Sequence, residues 1–258
     1  MQQSACIAQR PVCAVFLSLA FCALLGGKSA PAVAAELPFR PGERLSYQIS
    51  WSLIPAARLE LEVAPPADLG KQVAYHFVMK VSTLPVVDLI YPYQERIDSY
   101  VAAKVERSLF YKKWQESSHP RDIAVHFDWD KGEARYSNFG QAIAPIPIQP
   151  GTLDPLAALY YIRASITDSQ ADLERWVTDG KKLSMGKARF IAKETLTIFG
   201  KTYHTIKIEP DLHEVGGVFE KSPGAKMFLW LTDDERKTLV KFKSKVIVGS
   251  FVAELLPE

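Results

Sequence analysis

Beyond residue 35, the apolar residues of this 258-residue chain recur mostly at every second position. A period of two marks β-strands with one buried and one solvated face. In Ala57–Val63, Leu59, Leu61 and Val63 alternate with Arg58, Glu60 and Glu62. In Val73–Val81, Tyr75, Phe77, Met79 and Val81 face away from His76 and Lys80. Ile123–Trp129 repeats the pattern, Asp130-Lys131-Gly132 turns the chain, and Glu133–Phe139 returns it as a hairpin. Phe190–Ile198 pairs in the same way with Tyr203–Glu209 around Phe199-Gly200-Lys201, and Met227–Leu231 with Leu239–Val246 around Thr232–Lys237. Gly249 then admits a last strand, Ser250–Leu255. About ten to twelve antiparallel strands are expected, with no repeat of fixed period and no low-complexity linker.

One region breaks this rhythm. Ala142–Pro150, "AIAPIPIQP", carries three prolines, each lacking an amide donor, and so reads as an extended connector. It leads into "GTLDPLAALYYIR", where Thr152 or Asp154 can cap a helix and Pro155 suits its first position. The helix is expected over Leu153–Ala164. It carries no charge from Pro155 to Ile162, so it must be covered on nearly every side. A twisted sheet is the large apolar surface at hand. The expected fold is mainly β, a curled antiparallel sheet forming an open or closed barrel with one helix on its concave side.

The first 35 residues read as a secretory signal: Arg10, then the apolar run Val12–Leu25, then Ala32-Val33-Ala34 as a small-residue cleavage pattern near Ala34-Ala35. The run is shorter than the roughly 20 residues a spanning helix needs, and no later stretch reaches that length. Cys22 closes the apolar run, but Phe21 before it is bulkier than lipid-attachment signals accept. Cys6, Cys13 and Cys22 all lie in this leader, so residues 36–258, read as a single domain, hold no disulfide and no thiol nucleophile. The leader takes with it Arg10 and Lys28 and no acid, leaving 29 basic against 29 acidic residues. That balance, without a basic block, argues against nucleic acid and against strong electrostatic attachment to an anionic membrane. The compartment expected is periplasmic or exported.

No residue set identifies a reaction. His76, His119, His126, His204 and His213 lack metal-ligand spacing, and the strand histidines His76, His126 and His204 read as solvated side chains. There is no Gly-x-Ser-x-Gly elbow. Asp128/Asp130 and Asp233/Asp234 fall in turns, where Asp bonds its own backbone, and Gly216-Gly217 reads as a bend or bulge. Neither cofactor nor metal is expected. Arg163 ends the apolar helix, where it can cap carbonyls, pair with an acid, or meet an anionic ligand head. "STLPVVDLIYPY", Ser82–Tyr93, is either a covered loop or a hydrophobic lip at a cavity mouth.

"FRPGERLSYQISW" (Phe39–Trp51), "GTLDPLAALYYIR" and "MFLWLTDDERKTLVKFKSKVIVGSFVAEL" (Met227–Leu255) together resemble the bacterial exported family named domain of unknown function 3108. The matching positions are Gly42, Glu43, Asp154, Leu156, Leu159, Tyr160, Arg163, Trp230, Leu231, Thr232, Asp234, Gly249 and Ser250. A departure falls at Pro55-Ala56-Ala57, where the family often carries a Gly in its first hairpin. The resemblance implies shared architecture and no catalytic role, and by looser analogy it resembles the lipoprotein-carrier type of half-barrel.

The leading expectation is a non-catalytic binder of an apolar or amphipathic envelope ligand, a lipid or acyl chain, contacted by Leu156, Leu159, Tyr160 and Arg163 of the helix. The alternative is a structural or assembly factor that docks an envelope protein through a sheet edge or the Ser82–Tyr93 lip. An enzyme has the least support.

Overall fold

The period-two segments assemble into one antiparallel sheet in a computed structural model that describes residues 36–70, 72–167, 172–211, 226–245 and 250–257. The leader, His213 and the Gly216-Gly217 bend lie outside these residues. The first half of the chain holds β1 (Arg44–Trp51), β2 (Ile54–Asp68), β3 (Val73–Thr83), a one-turn helix α1 (Pro85–Asp88), β4 (Gln94–Val101), β5 (Ser108–Glu116), β6 (Arg121–Asp128) and β7 (Glu133–Asn138). The proline-rich connector contributes only the two-residue edge pieces β8 (Gln141–Ala142) and β9 (Ile146–Pro147), as its missing amides require. After helix α2 (Pro155–Ser165) come β10 (Leu173–Thr178), β11 (Leu183–Ile198), β12 (Lys201–Asp211), β13 (Lys226–Thr232), β14 (Leu239–Lys245) and β15 (Ser250–Leu255). Among the described residues fifteen strands thus replace the ten to twelve expected.

Two meanders, β1 to β8 and β10 to β15, run in chain order and join where the first strand pairs with the last, Tyr47 opposite Leu255. The β1–β2 turn, whose form the prolines at 55 left open, is made at Ser52 and Leu53, both with positive φ, and Pro55 lies within β2.

Cross-strand register sets the two faces, because directly opposed residues point the same way. One row, Val63, Phe77, Ser99, Tyr111, Val125 and Tyr136, crosses six strands and is buried throughout. This inner face carries the main core, on which α2 lies. The outer face is mostly charged, with a small second cluster where Ile198, Trp230 and Val240 are buried under Leu196, Tyr203 and Phe228.

The sheet does not close by a strand ladder. Its gap is bridged by the residues just before α2: Ser108 N–H donates to the Thr152 carbonyl (3.0 Å), Leu153 N–H to the Trp176 carbonyl (2.9 Å), and Thr178 N–H to the Leu153 carbonyl (2.9 Å). The β10–β11 turn is tucked against the inner face of β6 and β7. Gly180 there has φ +92°, and a Cβ would meet Val125 Cγ2 at 2.7 Å. Only glycine satisfies both conditions. Gly180→Ala is therefore expected to lower stability by about 1–3 kcal/mol, read as a lower urea midpoint with unchanged slope; an unchanged midpoint would show that the turn does not rest on these strands.

Candidate functional site

Helix α2 begins on a buried carboxylate. Asp154 Oδ1 accepts from Leu156 N–H and Ala157 N–H (3.0 Å each), and Oδ2 accepts from Ser99 Oγ (2.7 Å) and Ser108 Oγ (2.6 Å). Ser99 comes from β4 and Ser108 from β5, so the cap also sews the helix to the sheet. Burial raises the Asp154 carboxyl above the ordinary carboxylate value, against the pull of these four bonds.

Midway, Tyr160 stacks on Phe77 with ring centres 3.8 Å apart and meets Phe39 edge-on at 5.0 Å. Its hydroxyl finds no hydrogen-bond partner among the described residues, and burial raises its pKa. At the far end the Arg163 side chain is fully withdrawn from solvent. Nη1 donates to Glu43 Oε1 (2.6 Å), Nη2 to Glu43 Oε2 (3.1 Å) and the Arg236 carbonyl (3.3 Å), and Nε to the Lys237 carbonyl (3.0 Å). The rings of Phe39 and Tyr160 lie 5.2 and 5.4 Å from its central carbon. Arg163 thus takes the acid-pairing use of the three read from sequence, and its carbonyl bonds go to the β13–β14 turn instead of its own helix. On the other side of α2, the Arg175 guanidinium of β10 lies over Tyr161 (4.4 Å). The uncharged helix is covered from both sides.

Of the four residues assigned to ligand contact from sequence, Leu156, Tyr160 and Arg163 are core residues, and Leu159 alone keeps part of its surface exposed. Because successive turns of an antiparallel meander alternate between its ends, Glu43 and the β13–β14 turn mark one end, and the β1–β2 turn and β3–β4 loop the other. Partly exposed apolar side chains of the inner face lie toward both ends, Leu45, Tyr75 and Leu255 at the first and Ile49, Met79, Val81, Met227 and Phe242 toward the second, but at the second end they run out to a rim where Trp51 faces Phe251 with both exposed. Ser244, opposite Phe251 on this face, has a buried hydroxyl without a partner among the described residues. Several strands away along the same face, Glu95 is ion-paired with Lys113 and accepts from the Tyr93 hydroxyl (2.6 Å), whose pKa is raised first by burial and then by Glu95. The sequence pattern did not disclose this polar group, since Glu95 and Lys113 lie on β4 and β5, where alternation is blurred, and Tyr93 in the loop before β4.

Among the described residues no three His, Cys, Asp or Glu side chains gather as a metal site. His126 and His204 are exposed, as expected for wet-face strand residues. His76 departs from that reading: it bonds Asp98 Oδ1 (2.8 Å) and stacks on Tyr100 at 4.3 Å, because a ring on a flat strand surface gains more from a neighbouring ring than from water. Asp128 and Asp234 accept backbone N–H groups of their own turns, Lys131 N–H at 3.1 Å and Arg236 N–H at 3.0 Å. The Ser82–Tyr93 segment is the exposed lip and not the covered loop, with Val86, Leu89, Ile90 and Tyr91 in solvent.

The family model described as "Protein of unknown function (DUF3108)" matches residues 46–256. The chain belongs to this family. A search of curated proteins gives no match. Among solved structures, the DUF3108 chain is similar to a crystal structure titled a beta-barrel-like protein of domain of unknown function DUF1849 from Brucella abortus, with TM-score 0.52 and 8% identity, over 83% of this chain and 94% of that one. That likeness concerns the fold. Within the DUF3108 chain, several positions that carried the resemblance, Glu43, Asp154, Tyr160, Arg163 and Asp234, turn out to anchor α2 or the turn beneath it.

Two outcomes follow for the DUF3108 chain. Arg163→Met leaves Glu43 without its partner beside the core and is expected to destabilise by about 3–5 kcal/mol in urea unfolding, part of which Glu43→Leu in the same chain restores; a loss below about 1 kcal/mol would show the pair to be incidental. Burial of Asp98 works against its charge, but hydrogen bonds from His76 and Arg96 prevail and hold its carboxyl well below the usual range. A depressed folded-state pKa gives stability that is present above the unfolded value and lost as pH falls, so Asp98→Asn is expected to shrink the loss of stability between about pH 4 and pH 2. An acid limb as steep as that of the parent protein would contradict this.

Proposed function

We propose that this protein binds an apolar or amphipathic molecule, a lipid or acyl chain, in the concavity between α2 and the rim formed by Trp51 and Phe251. The observation that carries the reading is the uneven filling of the inner face. Beneath α2 the rings of Phe39, Phe77 and Tyr160 are buried and Leu45, Tyr75 and Leu255 are partly so, whereas toward the other end the partly exposed Ile49, Met79, Val81, Met227 and Phe242 lead to the exposed rim residues Trp51 and Phe251. Covering such surface is worth roughly 25 cal/mol per Å², enough for one acyl chain to bind usefully without any covalent chemistry.

In this reading α2 is the floor of the site, and Leu159 is its residue nearest to a guest. Leu156, Tyr160 and Arg163 hold the floor in place. The partnerless hydroxyl of Ser244 and the Tyr93–Glu95–Lys113 group supply polar contacts for a head group. Residues 1–35 act as the export signal, so the ligand belongs to the cell envelope, and the site works by burial alone.

The test is titration with a dansyl-labelled undecanoic acid, followed by native mass spectrometry. One probe is expected per chain, with affinity lowered at least about tenfold by Val81→Asp or Met227→Asp at unchanged fold. Absence of uptake by the parent protein, or uptake indifferent to both substitutions, would sink the proposal.

A further inference from the structure

Five of the six aliphatic residues most exposed to solvent among the described residues cluster on two neighbouring tips, the sixth being Val73 at the start of β3. Leu53 and Ile54 lie at the β1–β2 turn, 94% and 63% exposed, and Val86, Leu89 and Ile90 in the β3–β4 loop, 77%, 88% and 87% exposed. The two tips belong to one surface: Leu84 N–H donates to the Ala56 carbonyl (2.9 Å), and Thr83 lies opposite Ala57. Solvated single leucines are ordinary, but five large aliphatics on adjoining tips form a patch.

What lies behind the patch is ordered in layers. Trp51 and Tyr91, both exposed, flank the aliphatic tips. Further down the outer face runs an open groove of about 300 Å³ lined by Arg58, Lys80, Arg96 and Trp114, with Glu60, Ser82 and Gln94. Ser82 and Gln94 adjoin the loop itself. Arg58 stands five residues behind Leu53, roughly 17 Å at about 3.3 Å per residue. Aliphatic tips with Trp51 and Tyr91 beside them, and then a basic band, follow in the order of the acyl boundary and the phosphates of a bilayer. Basic side chains at such a surface each add to attraction by anionic lipid. Overall charge balance does not oppose this, because the layering is local.

We infer that this end of the sheet docks on a phospholipid bilayer, with Leu53, Ile54, Val86, Leu89 and Ile90 entering the acyl boundary and Arg58 and Lys80 meeting lipid phosphates. No helix among the described residues is long and apolar enough to cross a membrane, and this contact is interfacial. The inference rests on the outer surface and not on the concavity, although a rim at the same end would bring the proposed site to the source of its ligand.

The experiment is flotation with phosphatidylcholine vesicles, with and without one quarter phosphatidylglycerol. The protein is expected to float with the anionic vesicles, less so at high salt. Leu53→Ser with Leu89→Ser and Ile90→Ser should lower the bound fraction about tenfold on both vesicle types. Arg58→Glu with Lys80→Glu should lower it only on the anionic ones. All these side chains are exposed, so thermal unfolding should not move. Failure of the parent protein to float with either vesicle, or flotation unaffected by the triple change, overturns the inference. So does a concentration-dependent dimer that the triple change abolishes while vesicle binding is absent, which would assign the patch to a second copy of the chain. Probe uptake without flotation removes the docking and leaves the cavity reading standing; flotation without probe uptake does the reverse.

Discussion

A guanidinium wholly removed from water is tolerable only when almost every N–H has an acceptor, and the fold is arranged around meeting that condition for Arg163. Its donors reach Glu43, ahead of the first strand, and the carbonyls of Arg236 and Lys237, in the turn before the penultimate strand. One side chain therefore gathers the helix end, the start of the sheet and a late turn. Gly42, at φ +93°, lets the chain bend so that Glu43 is presented to it. Asp154 performs the complementary task at the other end of α2. With both ends fixed to strands by buried charge, the helix cannot slide along the sheet without stranding a charge in the core.

That fixed helix divides the inner face. Beneath it the core is crowded, with Phe39, Phe77 and Tyr160 in mutual contact and the buried Tyr47 hydroxyl donating to the Leu239 carbonyl. Beyond it the same face carries partly exposed apolar residues and a paired Glu95 and Lys113, a composition that tolerates water and a guest better than it forms a dry core. The reading of function follows from this contrast and not from any cluster of reactive groups.

Much of this was legible in the chain, and the exceptions have physical causes. Clean alternation revealed β2, β3, β6 and β7, and Asp154-Pro155 marked the start of α2 to within two residues of the expected helix. Strands β4 and β5 were obscured because Glu95, Ser99 and Lys113 face inward while Tyr100, Phe110 and Trp114 face outward, which inverts the usual pattern. Of the ligand residues expected on α2, Leu156, Leu159 and Tyr160 were read from apolarity alone and Arg163 from its charge at the helix end. Apolarity cannot separate a cavity lining from a packing surface; only the second layer, β10 with Arg175 over Tyr161, makes the difference visible. Nor does linear spacing hint that Arg163 would find its acid 120 residues upstream.

The pairing of the first strand with the last has a temporal side. As the chain emerges from a ribosome or a translocation pore, β1 can take up β2 at once, but its other edge stays open until residue 255 is free. The guanidinium of Arg163 likewise waits for residues 236 and 237 before its bonds are complete. Contacts so distant in sequence form slowly. A partly made chain thus cannot complete the sheet until β15 is available to pair with β1.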